Sequence, residues 1–299
     1  MSDTVLNVSA IDAAVVRRLV AAQFPLWADL PVVPILARGT DNALFRLGDD
    51  LVARLPTKER AVATLAKERE WLPKLAPLLP VAVPVPVADG KPAEAYPHAW
   101  AVYNWLKGED ATVAPAAGLA HDLARFVAAL QAIDPTAGPP PGEHNFFRGA
   151  PLATRDEVTR AAIGALAGEL DAAALTSAWE EALAAPEWDG PPVWIHGDLD
   201  RRNVLVENGR LSGVVDFGGL AVGDPASDVM AAWKTLRPEE RDGFRAALSV
   251  DDATWARARG WALSQAVIAL SSYTLETSPV LVREARRWLE QAGPSHSSR

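Results

Sequence analysis

The chain has 299 residues, 49% of them hydrophobic, which is enough for one large domain or two modest lobes with a substantial buried core and excludes disorder as the default. It has no cysteine, which removes disulfides, thiolate metal sites and cysteine nucleophiles together. A formal charge of −9 repels phosphate backbones and attracts cations, so nucleic acid is not expected as a partner and a cationic small molecule is.

From the N-terminus, Met1-Ser2-Asp3-Thr4 lacks the basic start and apolar stretch of an export signal, and no later apolar run reaches the roughly 20 residues of a membrane span. A cytoplasmic protein without a membrane partner is expected. Ser9 and Asp12 read as the cap of a helix whose apolar face is Ile11, Val15, Leu19 and Ala22. Extended runs over 32–37, 42–47 and 51–55, the last two joined by Gly48-Asp49-Asp50, read as an antiparallel meander. A helix over 59–75, capped by Thr57, places Leu65, Glu68, Leu72 and Leu75 on one side. Pro84 and Pro86 have no N–H for a sheet ladder, so 81–87 reads as an edge strand or connector before a better strand at 99–106.

After Gly108 the composition turns Ala- and Leu-rich with helical spacing, which divides the chain into an N-terminal lobe, 1–108, and a C-terminal lobe, 109–299. Leu119, Leu123, Phe126, Val127, Leu130 and Ile133 define a helix that stops at Asp134-Pro135. A Pro/Gly-rich loop runs on to Gly149, and helices continue to Leu183. Two β-like runs, 203–207 and 211–216, hinge at Asn208-Gly209, and helices then cover 224–236, 238–248, 252–273 and 279–291. The pattern is α+β: a small antiparallel-sheet lobe followed by a larger, mainly helical one.

Phosphoryl transfer asks little covalent help of a protein: a base near the acceptor hydroxyl, oxygen ligands for a hard cation, and positive charge on the phosphates. The run His196-Gly197-Asp198-Leu199-Asp200-Arg201-Arg202-Asn203, followed after a hairpin by Asp216-Phe217-Gly218, resembles the Asp/Asn catalytic loop and the Asp-Phe-Gly of protein kinases. That likeness implies Asp198 as catalytic base, with Asn203 and Asp216 as Mg2+ ligands. Asp, Asn and Gly are also ordinary turn formers, and a lone Asp-Phe-Gly would be read that way. Two spaced elements around a hairpin, behind a meander and an acidic helix, are not.

Together with Gly39-Thr40-Asp41-Asn42-Ala43-Leu44-Phe45-Arg46-Leu47, Val52-Ala53-Arg54-Leu55-Pro56 and Gly223-Asp224-Pro225-Ala226-Ser227-Asp228, these motifs resemble the aminoglycoside phosphotransferase family. Its members are kinase relatives that carry His-Gly-Asp in place of His-Arg-Asp. The resemblance spans nearly the whole chain. It implies a bilobal protein-kinase-like fold, a nucleotide-binding lobe over 1–108, a catalytic and substrate-binding lobe over 109–299, and ATP or GTP as donor. By position, Gly39, Thr40 and Asn42 resemble the loop over the nucleotide phosphates, with one glycine in place of three. Arg54 stands at the position of the kinase lysine. Since Val52 and Arg54 share a strand face, Val52 is expected at the base and Arg54 at the phosphates, paired with Glu68, for which Glu70 is the competitor. Arg in place of Lys keeps the charge but exchanges a point charge for a rigid fork. Tyr103, Asn104, Trp105 and Leu106 would form the hinge whose backbone pairs with the purine. His196 reads as an anchor of the catalytic loop, and Asp228 as its brace through backbone N–H groups.

In this family the acceptor pocket lies in the helical lobe and commonly uses acidic side chains for substrate amines. Glu109, Asp110, Asp156, Glu157, Asp200 and Glu276 are candidates, though each taken singly reads first as solvated surface. The resemblance thus implies a nucleoside triphosphate and a small hydroxylated, cationic acceptor of aminoglycoside type as partners, with antibiotic resistance as a role. A macrolide or small-metabolite kinase on the same scaffold is the alternative. From another class, a catalytically silent nucleotide-binding module is suggested by Arg54 and the glycine-poor loop. Asp200, Arg201 and Arg202 depart from the usual filler of this loop and are expected to face substrate or water.

Overall fold

The structure, a computed structural model, describes residues 11–35, 41–114, 116 and 118–294. Ser9, Gly39 and Thr40, named above as a cap and as part of a phosphate loop, lie outside the described residues. The chain divides into two compact units, Met1–Gly108 with Ser212–Gly218, and Glu109–Leu211 with Gly219–Arg299. The single boundary read from composition does not anticipate the return of Ser212–Gly218 to the first unit. Among the described residues no helix is long and apolar enough to cross a membrane.

The first unit opens with α1 (Ala13–Gln23), capped by Asp12, whose side chain accepts from the Val15 N–H at 2.8 Å. It buries Val16, Leu19 and Val20, so the apolar face is turned slightly from the one the spacing predicts. Strands β1 (Val32–Ile35), β2 (Asn42–Leu47) and β3 (Leu51–Pro56) form the expected meander, with Leu44 opposite Arg54. Gly48, at φ +55°, makes the turn between β2 and β3. Helix α2 (Glu59–Leu75) buries Leu65, Glu68, Leu72 and Leu75 as predicted, but its N-cap is Lys58 and not Thr57. Thr57 is held as an extension of the strand, its N–H donating to the Asp41 carbonyl at 2.7 Å.

Strand β4 (Pro86–Gly90) and strand β5 (Trp100–Asn104) complete a five-stranded sheet in the order β1-β2-β3-β5-β4, so the proline-bearing strand is at an edge. Val16, Leu19 and Val20 pack with Phe45, Leu47, Ala53, Leu55, Tyr96, Trp100 and Val102 in one core. Ser212–Gly218 joins this unit through the Ser212 hydroxyl on the Lys107 carbonyl (3.1 Å) and the Val214 N–H on the Ala82 carbonyl (3.0 Å).

The second unit is mainly helical. Short β6 (Glu109–Asp110) is followed by α3 (Leu119–Gln131), α4 (Asp156–Ala165) and α5 (Ala172–Leu183). Then come β7 (Val193–Ile195), β8 (Val204–Glu207), β9 (Arg210–Val214), which from Ser212 on belongs to the first unit, and β10 (Ala221–Gly223). Asn208 and Gly209, at φ 52° and 74°, form the tight β8–β9 turn that Asn-Gly signals. β7 pairs antiparallel with β10, Ile195 opposite Ala221, a pairing the sequence did not suggest. The helix expected over 224–236 is broken at Met230 into α6 (Ala226–Val229) and α7 (Ala231–Lys234), followed by α8 (Arg241–Ala247). α9 (Asp252–Ser272) is buried on most of its circumference and packs against α4, α5, α6 and α10 (Pro279–Ala292). Its Arg257, 2% exposed, pairs with Asp224 at 2.8 Å, which satisfies a charge that would otherwise be stranded in the core.

Candidate active site

The β7–β10 pair fixes where the catalytic loop begins. Beyond Ile195 the chain turns at Gly197, φ +80°, where an added Cβ would lie 2.7 Å from the Gly219 carbonyl oxygen, so only glycine fits. Fully buried Asp228 accepts from the N–H groups of His196 (2.8 Å) and Gly197 (2.7 Å), the brace expected of it. The Asn203 amide donates to the Asp198 carbonyl at 2.9 Å, and the Thr235 hydroxyl to the Leu199 carbonyl at 3.1 Å. His196 is fully buried, and its Nδ1 accepts from the Asp198 N–H at 3.2 Å.

Asp198 is 16% exposed, and its two oxygens are treated differently. Oδ1 accepts at 2.6 Å from Nζ of Lys234, a lysine with no solvent exposure that also donates to Gln265 (2.6 Å) and lies over the Trp288 ring (4.3 Å). Oδ2 faces the Arg148 guanidinium at 3.6 Å, beyond hydrogen-bond range, and no described group donates to it. Burial works to raise the Asp198 carboxyl, but Arg148, Lys234 and Arg202 outweigh it and hold the group far below the usual carboxylate range. Asp228 goes the other way: burial pushes it up to about 7 against its two backbone N–H bonds.

Neither Lys234 nor Arg148 was found from the sequence. For Lys234 a signal was there: one cation in the run Met230-Ala231-Ala232-Trp233-Lys234-Thr235-Leu236 needs a buried partner. The acidic residues offered for substrate amines are largely engaged. Asp200 faces neither substrate nor water; it is fully buried and bound by Arg202 at 2.5 Å. Asp156 accepts from Trp179 and Arg160, both at 2.8 Å, and Asp110 from the Thr112 N–H at 3.1 Å. Glu109 and Glu157 are exposed, and Glu276 lines a separate cavity of about 900 Å³ with Tyr273, Glu169 and Arg286.

The first unit brings together Arg54, Glu68, Tyr103 and Asp216. Arg54 Nη1 donates to Glu68 Oε2 at 2.6 Å, and the Tyr103 hydroxyl donates to the same oxygen at 2.8 Å. Glu68 is 1% exposed, and its Oε1 has no partner among the described residues. Burial opposes the charge on Arg54, but Glu68, Tyr103 and Asp216 outweigh it and raise the guanidinium. Burial and Glu68 likewise push the Tyr103 phenol up. The competitor Glu70 is on the surface, 3.6 Å from Lys74. Tyr103 therefore contributes through its side chain, which the hinge reading had discounted.

Asp216 has φ +64°, uncommon for a residue with a side chain, and its Oδ1 accepts weakly from the Gly218 N–H at 3.4 Å. Lys67 of α2 fastens this turn by donating to the Gly218 carbonyl at 2.9 Å. Of the hinge residues, Asn104 spends its N–H on Val85 (3.2 Å) and Trp105 spends its own on Asp50 (2.7 Å), so neither is left for a purine. The Leu106 N–H meets no acceptor among the described residues. Val52 is half-buried on β3, and Asn42 has its Oδ1 buried without a partner among the described residues.

Among the described residues no group of three or more His, Cys, Asp or Glu side chains is placed to hold a metal. Magnesium keeps waters and takes one or two protein oxygens beside phosphate, so it needs no such group. In the second unit the Asn203 amide nitrogen is committed to the Asp198 carbonyl, which leaves its Oδ1 to act as a ligand; in the first, Asp216 Oδ2 accepts no hydrogen bond among the described residues.

A family model described as the phosphotransferase enzyme family matches residues 32–261, most of the chain and all of the elements above from β1 into α9. The chain belongs to the phosphotransferase enzyme family. It is thus an enzyme, a phosphotransferase of α+β, kinase-like fold. A search of the curated proteins finds no significant match. Among solved structures, the GDP complex of wild-type aminoglycoside 2'-phosphotransferase-IIIa superposes with a TM-score of 0.70 at 19% identity, covering 93% of this chain and 98% of that one. Macrolide 2'-phosphotransferase MphH from Brachybacterium faecium gives 0.61 at 24% identity over 92% and 97%. The streptomycin–ATP–APH(2")-IIa ternary complex gives 0.59 at 18% over 95% and 98%. At these identities the likeness is one of fold.

Proposed function

We propose that this phosphotransferase moves the γ-phosphoryl group of ATP or GTP to a hydroxyl of a small molecule, with Asp198 as the catalytic base. The observation that carries this reading is the split environment of Asp198: one oxygen fixed by buried Lys234, the other free of hydrogen bonds, and the carboxylate ionised. The free Oδ2 accepts a hydrogen bond from the acceptor hydroxyl and aims its oxygen at phosphorus. As the new O–P bond forms and the bond to the leaving nucleoside diphosphate breaks, the hydroxyl proton passes to Oδ2 and then to water. Asn203 Oδ1 and Asp216 Oδ2 would hold Mg2+, which supplies charge neutralisation on the phosphates when bound. Arg54, kept rigid by Glu68 and Tyr103, offers a fork to the nucleotide phosphates, and Leu106 offers its N–H to the base. A donor of this kind fits a cytoplasmic enzyme.

Aminoglycosides and macrolides, after which the similar enzymes are named, make the first acceptor panel, and resistance would be the role if one of them is taken. A small metabolite is the reading we favour over a polycation, because Arg148 stands 3.6 Å from Asp198 Oδ2, the oxygen that would hold the acceptor. The test is transfer of γ-labelled ATP and GTP to that panel and to hydroxylated metabolites, with and without Mg2+, for wild type and Asp216→Ala. Label should enter an acceptor only with Mg2+ and be lost in the variant. Bound nucleotide with no label transferred to any acceptor would instead mark a silent nucleotide-binding module.

A further inference from the structure

The Pro/Gly-rich segment before α4 holds an arginine, Arg148, that faces Asp198 Oδ2 at 3.6 Å without a hydrogen bond. Asn145, fully buried, clamps the backbone there: its amide donates to the carbonyls of Arg148 (2.8 Å) and Gly219 (3.2 Å), and its Oδ1 accepts from the Gly142 N–H (3.0 Å). One residue on, the Gly149 N–H donates to the Ser227 hydroxyl (2.8 Å) and its carbonyl accepts from the Asp224 N–H (2.8 Å). Between these clamps Phe146 and Phe147 are both in the left-handed region, φ 57° and 58°, an arrangement that costs energy unless the surroundings impose it. Its result is the placement of Arg148, whose guanidinium carbon lies 5.5 Å from the Phe146 ring.

The Arg148 side chain is 18% exposed, and its closest acid is Asp198 Oδ2, at 3.6 Å. None of its N–H groups meets a hydrogen-bond acceptor among the described residues. Asp228 feels it more weakly, and Arg155 stands near it with the same charge. Arg155 itself has a buried Nε without a partner and gives one N–H to the Phe146 carbonyl (3.2 Å), and burial and Arg148 together lower it to about 10. Lys234 and Arg202 nearby are taken up by Asp198 and Asp200, whereas Arg148 is hydrogen-bonded by no acid among the described residues. The Arg148 fork, partly exposed and held by no hydrogen bond among the described residues, has donors left over for an oxyanion beside Asp198 Oδ2.

We propose that Arg148 binds an acid group of the acceptor, so that the substrate is a hydroxy acid whose hydroxyl rests on Asp198 Oδ2 while its carboxylate or phosphate rests on Arg148. This rests on the reading of Asp198 as the base. With hydrogen bonds of about 2.8 Å to each anchor, the hydroxyl and the acid belong on adjacent or next-but-one carbons. An amine-rich acceptor meets repulsion in the same place, and a neutral one leaves the fork unpaired.

The test compares glycolate, glycerate and gluconate with their amides, and with kanamycin, as acceptors of the γ-phosphoryl group and as calorimetric ligands of the full chain. The expected result is that the acids bind and are used at least tenfold better than their amides. In Arg148→Met the KM for the acid should rise at least tenfold, nucleotide KM should move less than threefold, and the acid-over-amide preference should vanish. Arg148→Lys should recover part of the preference, which a merely structural role would not give. Three results would overturn the proposal: equal use of acids and amides, preferred use of kanamycin, or a nucleotide KM that shifts in Arg148→Met while the acceptor KM does not. The last would assign the fork to the donor phosphate. In each of these cases transfer itself persists, so the phosphotransferase reading stands; no transfer and no binding of any acid would remove both.

Discussion

Asp198 and Lys234 are a buried ion pair in which the lysine has no route to water. Removing Lys234 leaves the partly buried Asp198 without its hydrogen-bond donor, at a cost of about 1–3 kcal/mol. Lys234→Met should therefore lower unfolding stability by that order and reduce kcat more than it changes the nucleotide KM. A stable variant with wild-type turnover would show that the pair does neither. Asp228 gives a pH signature. With its carboxyl at about 7 in the folded protein against about 3.9 in an unfolded chain, folding takes up a proton. Its stabilisation is full below the unfolded value and is lost as pH rises through the folded one. Denaturant melts should show stability falling from about pH 4 to about pH 7, and Asp228→Asn should flatten that slope; an unchanged slope in the variant contradicts the assignment. At this scale the pairing of Arg54 with Glu68 was legible because a strand cation and one acid on an apolar helix face need each other. Lys234 and Arg148 were not, because what gives them meaning is a contact made across an apolar helix and a Pro/Gly-rich loop.

The elements were legible where periodicity is long. α2 shows this, with Leu65, Glu68, Leu72 and Leu75 buried as the spacing requires, and so does the β8–β9 hairpin with its Asn208-Gly209 turn. Three-residue strands carry too little pattern: β7 and β10 exist because they pair with each other, Trp194 opposite Val222, and that pairing sets where the catalytic loop leaves the sheet. The break between α6 and α7 escaped for a similar reason, since no proline or glycine marks it. Close approach is equally silent in sequence. At the edge of the first unit a Cβ on Gly90 would lie 2.0 Å from Cε2 of the Trp100 ring, which has no exposure and no room to shift. Gly90→Ala should lower stability by about 1–3 kcal/mol through overpacking. The check is the denaturant midpoint, and a change within about 0.5 kcal/mol would mean that β4 moves away from the ring without cost.

Across the whole molecule, composition foresaw the α+β division but not that Ser212–Gly218, with Asp216, clusters with the first unit while Asp198 and Asn203 belong to the second. Nor did the net charge of −9 foresee a cationic surrounding for Asp198, since an average over the chain says little about any one site. The account as a whole depends on Asp198 acting as a base and not as a structural carboxylate. Asp198→Asn keeps the shape of the side chain and removes its capacity to take a proton, so the rate of γ-phosphoryl transfer in this variant, with nucleotide affinity measured on the same protein, is the most direct test. The predicted result is a fall in kcat of about 10²–10⁴-fold, the usual contribution of general base catalysis, with nucleotide affinity within about threefold of wild type. Transfer within about tenfold of the wild-type rate would contradict the central claim.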